Sequence, residues 1–349
     1  MKSHDLTDIL ALTAEPAVLV KRGKISFANT GAERLFGPCV GKSAEDVLGL
    51  DPGHYPAQSY LVDTMIQGEN YVLRINTLEE GRMVFLDRQE ESPVILNDAF
   101  LYTLRSNLMT LGVAADRLRP AAEDMKNRGM MEDLTALTSS YFKLMRLSSN
   151  ASLVRSMYEH RAAALPVDLD LSLLCHAVMD TVEEAFPEVR IVREIQTGLR
   201  VNMDAALFKQ LLFNLLSNCL RHAHATIIQV RLYDTAENVL LAVSDNGDGI
   251  PAQAMYTVFD RYRYNYALTE ASSGAGLGLT AARCITQLHG GTLLLESRPD
   301  QGTSVRASFS RRTAIMRFGA SEELCTMRDA LLGLADCMPL RFFEEKYLD

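Results

Sequence analysis

Two short apolar runs, Ala17 to Val20 and Lys24 to Phe27, flank Arg22-Gly23, a spacing that predicts a β-hairpin with glycine at its turn. Helical spacing follows around Gly31 to Phe36, and alternation over Tyr71 to Ile75 and Arg82 to Leu86 predicts two further strands joined through Glu79-Glu80-Gly81. The period then changes. Between Ser92 and Leu165, Phe100, Leu104, Leu108, Leu111 and Ala115 recur three and four apart, the mark of one apolar helical stripe. Pro120 and Gly129 are expected to interrupt it, and a second stripe runs from Met131 through Leu134, Leu137, Tyr141, Leu144 and Leu147 to Val154, with Leu165-Pro166 as its end. Two such helices form a hairpin with too little area to bury itself, so pairing with a second copy into a four-helix bundle, a homodimer, is expected.

Beyond Leu169 the pattern predicts a helix over Leu171 to Phe186, a strand over Val189 to Ile195, and a long helix over Asp204 to His222. Strands follow over Thr226 to Tyr233 and Val239 to Asp245, then a helix over Gly278 to Leu288 and strands over Thr292 to Ser297 and Ser304 to Phe309. Helices and strands mix without strict βαβ alternation, so an α/β sandwich with helices on one sheet face is expected. The whole reads as an α+β multidomain chain with segments 1–90, 91–166 and 167–310, closed by a short helical extension over 311–349. A length of 349 residues calls for two or three cores.

Composition narrows the class. Hydrophobic residues at 48% and charged residues at 23% describe a globular chain. The formal charge of −9 excludes a general nucleic-acid binder, which would concentrate Lys and Arg. No apolar run approaches the ~20 residues of a membrane span, and the start MKSHDLTDIL lacks the form of a signal peptide, so a cytoplasmic location is expected. Six scattered cysteines without a C-x-x-C pair read as reduced, mostly buried thiols.

Four blocks carry the chemistry. Asn214, Asn218, Arg221 and His222 share one helix face; the amide oxygen of Asn218 suits Mg²⁺, and Arg221 can meet phosphate oxygens. Asp245-Asn246-Gly247-Asp248-Gly249-Ile250 follows a strand, where glycines admit a flat ring and the Asp245 carboxylate can accept from an exocyclic amine. In Val258-Phe259-Asp260-Arg261-Tyr262-Arg263, Phe259 can anchor a flap while Arg261 and Arg263 reach a nucleotide. Gly274-Ala275-Gly276-Leu277-Gly278-Leu279 opens a helix whose first N–H groups can cradle phosphate. Each block alone reads equally as polar surface or a plain turn.

In this order, with His289-Gly290-Gly291 and Gly302-Thr303 behind them, the blocks resemble the N, G1, F and G2 boxes of the histidine-kinase ATPase domain, the GHKL or Bergerat fold. The resemblance implies ATP and Mg²⁺ as ligands, with Asn218 holding the metal and Asp245 the adenine. Asn214, Arg221 and His222 would line the phosphates; Gly247, Gly249, Ile250, Phe259, Arg261, Arg263, Gly274, Gly276, Leu277, Gly278, Leu279 and Thr303 would shape the pocket and lid. The run PAVLVKRGKISFANTGAERLFG with the tail FLDRQEE resembles a PAS sensor. Together these imply a sensor histidine kinase, with a response regulator or a partner kinase as its associate.

Two departures bear on activity. Hydrolysing members of the superfamily carry a general-base Glu one turn before the metal Asn, where this chain has Asn214, and an amide cannot take a proton from water as a carboxylate does. Histidine kinases carry a nucleophilic His ahead of Leu-Arg on the first hairpin helix. Aligning Leu104-Arg105 puts Tyr102 there with Thr103 in place of the acid, and a register four residues later gives Ser106 and Asn107. A phenol or serine hydroxyl, with a pKa near or above about 10, is a poor phosphoacceptor without an adjacent base. The sequence thus predicts ATP binding with autophosphorylation weakened or lost, or a degenerate nucleotide-binding regulator.

Overall fold

A computed structural model describes residues 15–52, 59–67, 69–78, 81–88, 98–158, 161–222, 225–235, 238–251, 277–310 and 325–344. β1 (Ala17–Lys21) and β2 (Lys24–Ala28) pair antiparallel, and their turn places Arg22 and Gly23 at φ of 51° and 74°, the left-handed pair that a tight hairpin requires. Asn29 is 2% exposed and ties this hairpin to α1 (Thr30–Phe36): its Oδ1 accepts from Ala32 N and Ala17 N, each at 2.9 Å. After α2 (Ala44–Leu48), the strands β3 (Ser59–Ile66), β4 (Glu69–Leu78) and β5 (Gly81–Arg88) form a meander, and β5 closes against β1.

Two long helices follow, α3 (Asp98–Asp124) and α4 (Arg128–Tyr158). The hairpin is as expected, but two of its boundaries are not. Pro120 does not interrupt α3, which continues to Asp124, and the break falls at Met125 to Asn127, where Lys126 has φ 49° and the Asn127 side chain accepts from Met130 N at 3.1 Å. That cap starts α4 ahead of Gly129, which sits inside the helix. At the other end α4 stops at Tyr158, short of Leu165-Pro166. Both expected stripes are also divided: Leu108 and Ala115 of the first and Leu134 and Val154 of the second are buried, whereas Phe100 and Leu111 of the first and Leu137, Leu144 and Leu147 of the second are exposed.

The C-terminal half begins with β6 (Val167–Asp170) and α5 (Leu171–Ala185), capped by Asp170, and buries Leu171, Leu174, Cys175, Val178 and Val182 along one face. Then come β7 (Arg190–Ile195), β8 (Arg200–Met203), α6 (Ala205–His222), β9 (Ile227–Asp234) and β10 (Asn238–Asp245). α7 (Leu277–Leu288), β11 (Leu293–Ser297), β12 (Thr303–Ser310), α8 (Met327–Gly333) and a 3₁₀ turn over Leu340–Phe343 complete it. Odd positions of β10 and β12, Val239, Leu241, Val243, Val305, Ala307 and Phe309, face the helices α5, α6 and α7 in one core, the period-two pattern of a one-sided sheet.

Among the described residues, all but two strands join one sheet in the order β2-β1-β5-β4-β3-β11-β12-β10-β9-β7; β6 and β8 form a separate pair. β3 was not anticipated, and it links the two halves by pairing antiparallel with β11, Val62 opposite Leu294. The C-terminal extension is part of the main core: Ala330, Leu331, Leu334, Phe342 and Phe343 are buried in it, and Gly333 lies so close to Phe213 that a Cβ would come 2.4 Å from the ring. No described helix is long and apolar enough to cross a membrane. All six cysteines are free thiols, and Cys39, Cys175, Cys219 and Cys284 are buried.

Candidate functional site

α6 presents a polar edge to α4. Gln210 and Asn214, four apart, meet Asn150: Gln210 Nε2 donates to Asn150 Oδ1 at 2.8 Å, and the two asparagine amides exchange hydrogen bonds at 3.2 Å each. Arg146, one turn before Asn150, donates through Nη2 to Asn214 Oδ1 at 3.2 Å and through Nη1 to Asp336 of the extension. Asn214 is therefore 2% exposed, enclosed by the hairpin. Arg221, two turns on, also faces Asp336, at 3.4 Å. Burial lowers the pKa of Arg146, and the Asp336 carboxylate opposes that shift.

One turn beyond Asn214, the Asn218 Nδ2 is buried and has no hydrogen-bond partner among the described residues. α7 starts beside it: a Cβ on Gly278 would stand 3.7 Å from Asn214 Oδ1 and 3.9 Å from Asn218 Oδ1. The amide oxygens of α6 thus converge on the glycine start of a helix, a place suited to an anion and a hard cation together. The unsatisfied donor of Asn218 fits a phosphate oxygen, and its carbonyl oxygen fits Mg²⁺.

At the end of β10, Asp245 Oδ1 accepts from Gly247 N at 2.9 Å and Thr303 N at 3.2 Å. Close backbone approach explains two glycines: Gly302 (φ 82°) would place a Cβ 2.0 Å from Asp245 O, and Gly249 (φ 68°) would place one 2.0 Å from Arg298 O. Ile250 N donates to Ser297 Oγ at 2.8 Å, fastening the loop to the β11–β12 turn. A cavity of about 270 Å³ opens here, lined in part by Ser244, Asp245, Glu296, Ser297 and Thr303. Cys219 of α6 sits near the same carboxylate; burial pushes its thiol well above the ordinary value and Asp245 pushes it further.

The structure therefore brings Asn214, Asn218, Arg221, Gly278, Leu277 and Leu279 together on α6 and α7, and Asp245, Gly247, Gly249, Ile250 and Thr303 together at the strand ends. Phe259, Arg261, Arg263, Gly274 and Gly276 lie outside the described residues, as does the side chain of His222. Leu277 packs with Leu101 of α3 and Ala151 of α4, so the turn carrying Tyr102 adjoins the start of α7. Tyr102 is 77% exposed and Ser106 is exposed. Sequence reasoning missed Arg146, Asn150 and Asp336, although polar residues four apart inside the apolar stripe of α4 were a signal that this face meets something polar.

Residues 203–313, which contain α6 through β12, match the family of histidine kinase-, DNA gyrase B- and HSP90-like ATPases. The chain is similar to the adaptive-response sensory kinase SasA of Synechocystis, 30% identical over 216 residues that cover 58% of this chain and 55% of that protein. It is also similar to the sensor protein KdpD of Escherichia coli, 26% identical over 294 residues covering 78% of this chain and 32% of the relative. The chain is thus similar to sensor histidine kinases, and its residues 203–313 carry the ATPase-type domain that they share. Its fold is shared with full-length ShkA solved in complex with AMPPNP, at a TM-score of 0.50 and 20% identity over 63% of this chain and 47% of ShkA. The chain spans about a third to a half of the length of these relatives. The matched ATPase-type domain lies on α6 to β12.

Proposed function

We propose that this chain is a two-component signalling protein that binds Mg-ATP between α6, the ends of β10 to β12 and the start of α7, and that does not phosphorylate itself on histidine. Its parts in this reading are a PAS-like sensor over 1–90, a dimerising hairpin over 91–166, the ATP domain over 167–310 and a helical extension over 311–349. Asn218 Oδ1 would hold Mg²⁺, whose charge offsets that of the phosphates when bound; Asp245 orients the adenine amine and Arg221 the phosphates. The observation that carries the reading is the neighbour of Leu101: the hairpin turn packed on Leu277 at the phosphate cradle bears Tyr102, with no imidazole in the family's position. Asn214, with its amide held by Arg146 and Asn150, offers no base for hydrolysis.

Incubation with γ-labelled ATP tests this. Nucleotide binding without acid-labile label on the protein is expected; robust phosphohistidine overturns the degenerate reading. A second reading, a regulator that reports nucleotide state to a response regulator or pairs with an active kinase, is favoured by Phe100, Met109, Val113 and Leu118, which are 48% to 57% exposed along α3. Size measurement of the pure protein separates a homodimer from a monomer awaiting another kinase.

A further inference from the structure

We infer that the C-terminal extension is a latch: the Asp336 carboxylate holds Arg221 of α6 and Arg146 of α4 together, so that a docked extension and a bound nucleotide triphosphate exclude one another. The inference rests on the proposed ATP site. Three elements distant in sequence meet at this one anion. Arg146, its side chain 9% exposed, pairs with Asp336 and reaches Asn214 in the same guanidinium plane, while Arg221 approaches Asp336 at 3.4 Å from the other side. Arg221 is the residue proposed to receive phosphate oxygens, and a carboxylate offers a guanidinium the same fork of acceptors.

The extension is fixed well enough to compete. Thr326 and Asp329 form a reciprocal capping box at the start of α8, Lys209 of α6 pairs with Asp329 at 3.1 Å, and Phe343 packs on Phe142 of α4. α8 therefore touches both the hairpin and the nucleotide-side helix, with Asp336 three residues past its end. A triphosphate that takes Arg221 removes one of the two cations at Asp336, and a released Asp336 leaves Arg146 as a buried cation without its anion, which weakens the seating of α4 on α6. Nucleotide binding and hairpin release are thereby coupled, and the coupling is reciprocal.

The test uses the full chain with two readouts, amide exchange without nucleotide and titration calorimetry with Mg-ATP. In Asp336→Asn, exchange accelerates across α8 and around Arg146, and affinity for Mg-ATP rises about tenfold. In the wild type, saturating Mg-ATP accelerates exchange in α8 by itself. The double variant Arg146→Met with Asp336→Asn removes the buried cation together with its anion; it retains wild-type exchange in α4 and still binds Mg-ATP more tightly, because Arg221 has lost its carboxylate partner. Unchanged exchange in Asp336→Asn overturns the latch whether or not ATP binds. Faster exchange with unchanged or weaker affinity overturns the competition. Failure of every variant to bind Mg-ATP overturns the ATP reading itself, and the competition with it.

Discussion

Asp245 is positioned by its neighbours' backbones, from Gly247 N on its own loop and Thr303 N across the sheet, and that arrangement exists only because Gly302 has no Cβ. Gly302→Ala forces a methyl group into the Asp245 carbonyl at a left-handed φ, with an expected cost of about 1–3 kcal/mol. Thermal unfolding should show the loss, and nucleotide affinity should fall with it; a neutral variant would mean the loop adjusts freely. His289 supplies a second test at this scale. Its Nδ1 donates to Ile285 O at 2.8 Å, its Nε2 accepts from Asp204 N at 3.2 Å, and burial lowers its pKa from 6.5. The neutral ring is thus the folded form. Below about pH 6.5 the unfolded chain takes up a proton that the folded one resists, so this contribution to stability is intact above that pH and erodes as pH falls towards the folded value. Urea midpoints compared at pH 7.5 and 5.5 should drop more for wild type than for His289→Gln; equal drops would sink the assignment.

Among the elements, α6 shows why part of the site was legible and part was not. Asn214, Asn218 and Arg221 are read from helical spacing within one segment, and Gly278 from a glycine run, because local geometry alone dictates those residue types. Arg146, Asn150 and Asp336 reach the site from far along the chain, Arg146 meeting Asp336 across 190 positions, so local spacing can hint at a polar contact on α4 but cannot name its partners. The strands β7 and β9 to β12 were readable to within a residue or two, whereas the short pair β6 and β8 was not. β3 was not: Ser59–Ile66, flanked on both sides by strands, carries no clean period of two. The α4–α6 seam gives the prediction at this scale. Asn150→Leu removes a partner from both Gln210 and the buried Asn214, and leaving such groups unsatisfied costs about 1–3 kcal/mol. The denaturant midpoint should fall accordingly, whereas a stabilised variant would show that the seam prefers apolar packing. Pro120→Ala tests α3 in the opposite direction. An interior proline forfeits a backbone hydrogen bond, so its replacement should raise the melting temperature.

Across the whole molecule, the sheet joint is where the N-terminal strands meet the C-terminal half. Only three residue pairs join β3 to β11, from Leu294 with Val62 to Glu296 with Tyr60, yet side chains cross the joint in both directions. Leu294 of β11 packs into the N-terminal cluster around Val62 and Leu73, and Val72 of β4 belongs to the main core. An edge-to-edge pair of this length holds through its apolar contacts, because exposed backbone hydrogen bonds exchange readily with water. Leu294→Lys places a charge in that contact while leaving the opposite face of β11, Leu293 and Leu295, in the main core. The expected outcome is separation without unfolding: faster amide exchange in β3 near Val62, a thermal transition split in two, and retained binding of Mg-ATP. A single unbroken transition with unchanged exchange would show that the halves are held by the hairpin instead. Retained nucleotide binding after separation would place the latch at Asp336, not the sheet joint, in control of the nucleotide face, since Asp336 and its two arginines lie on the helical side and the β3–β11 pair does not include them.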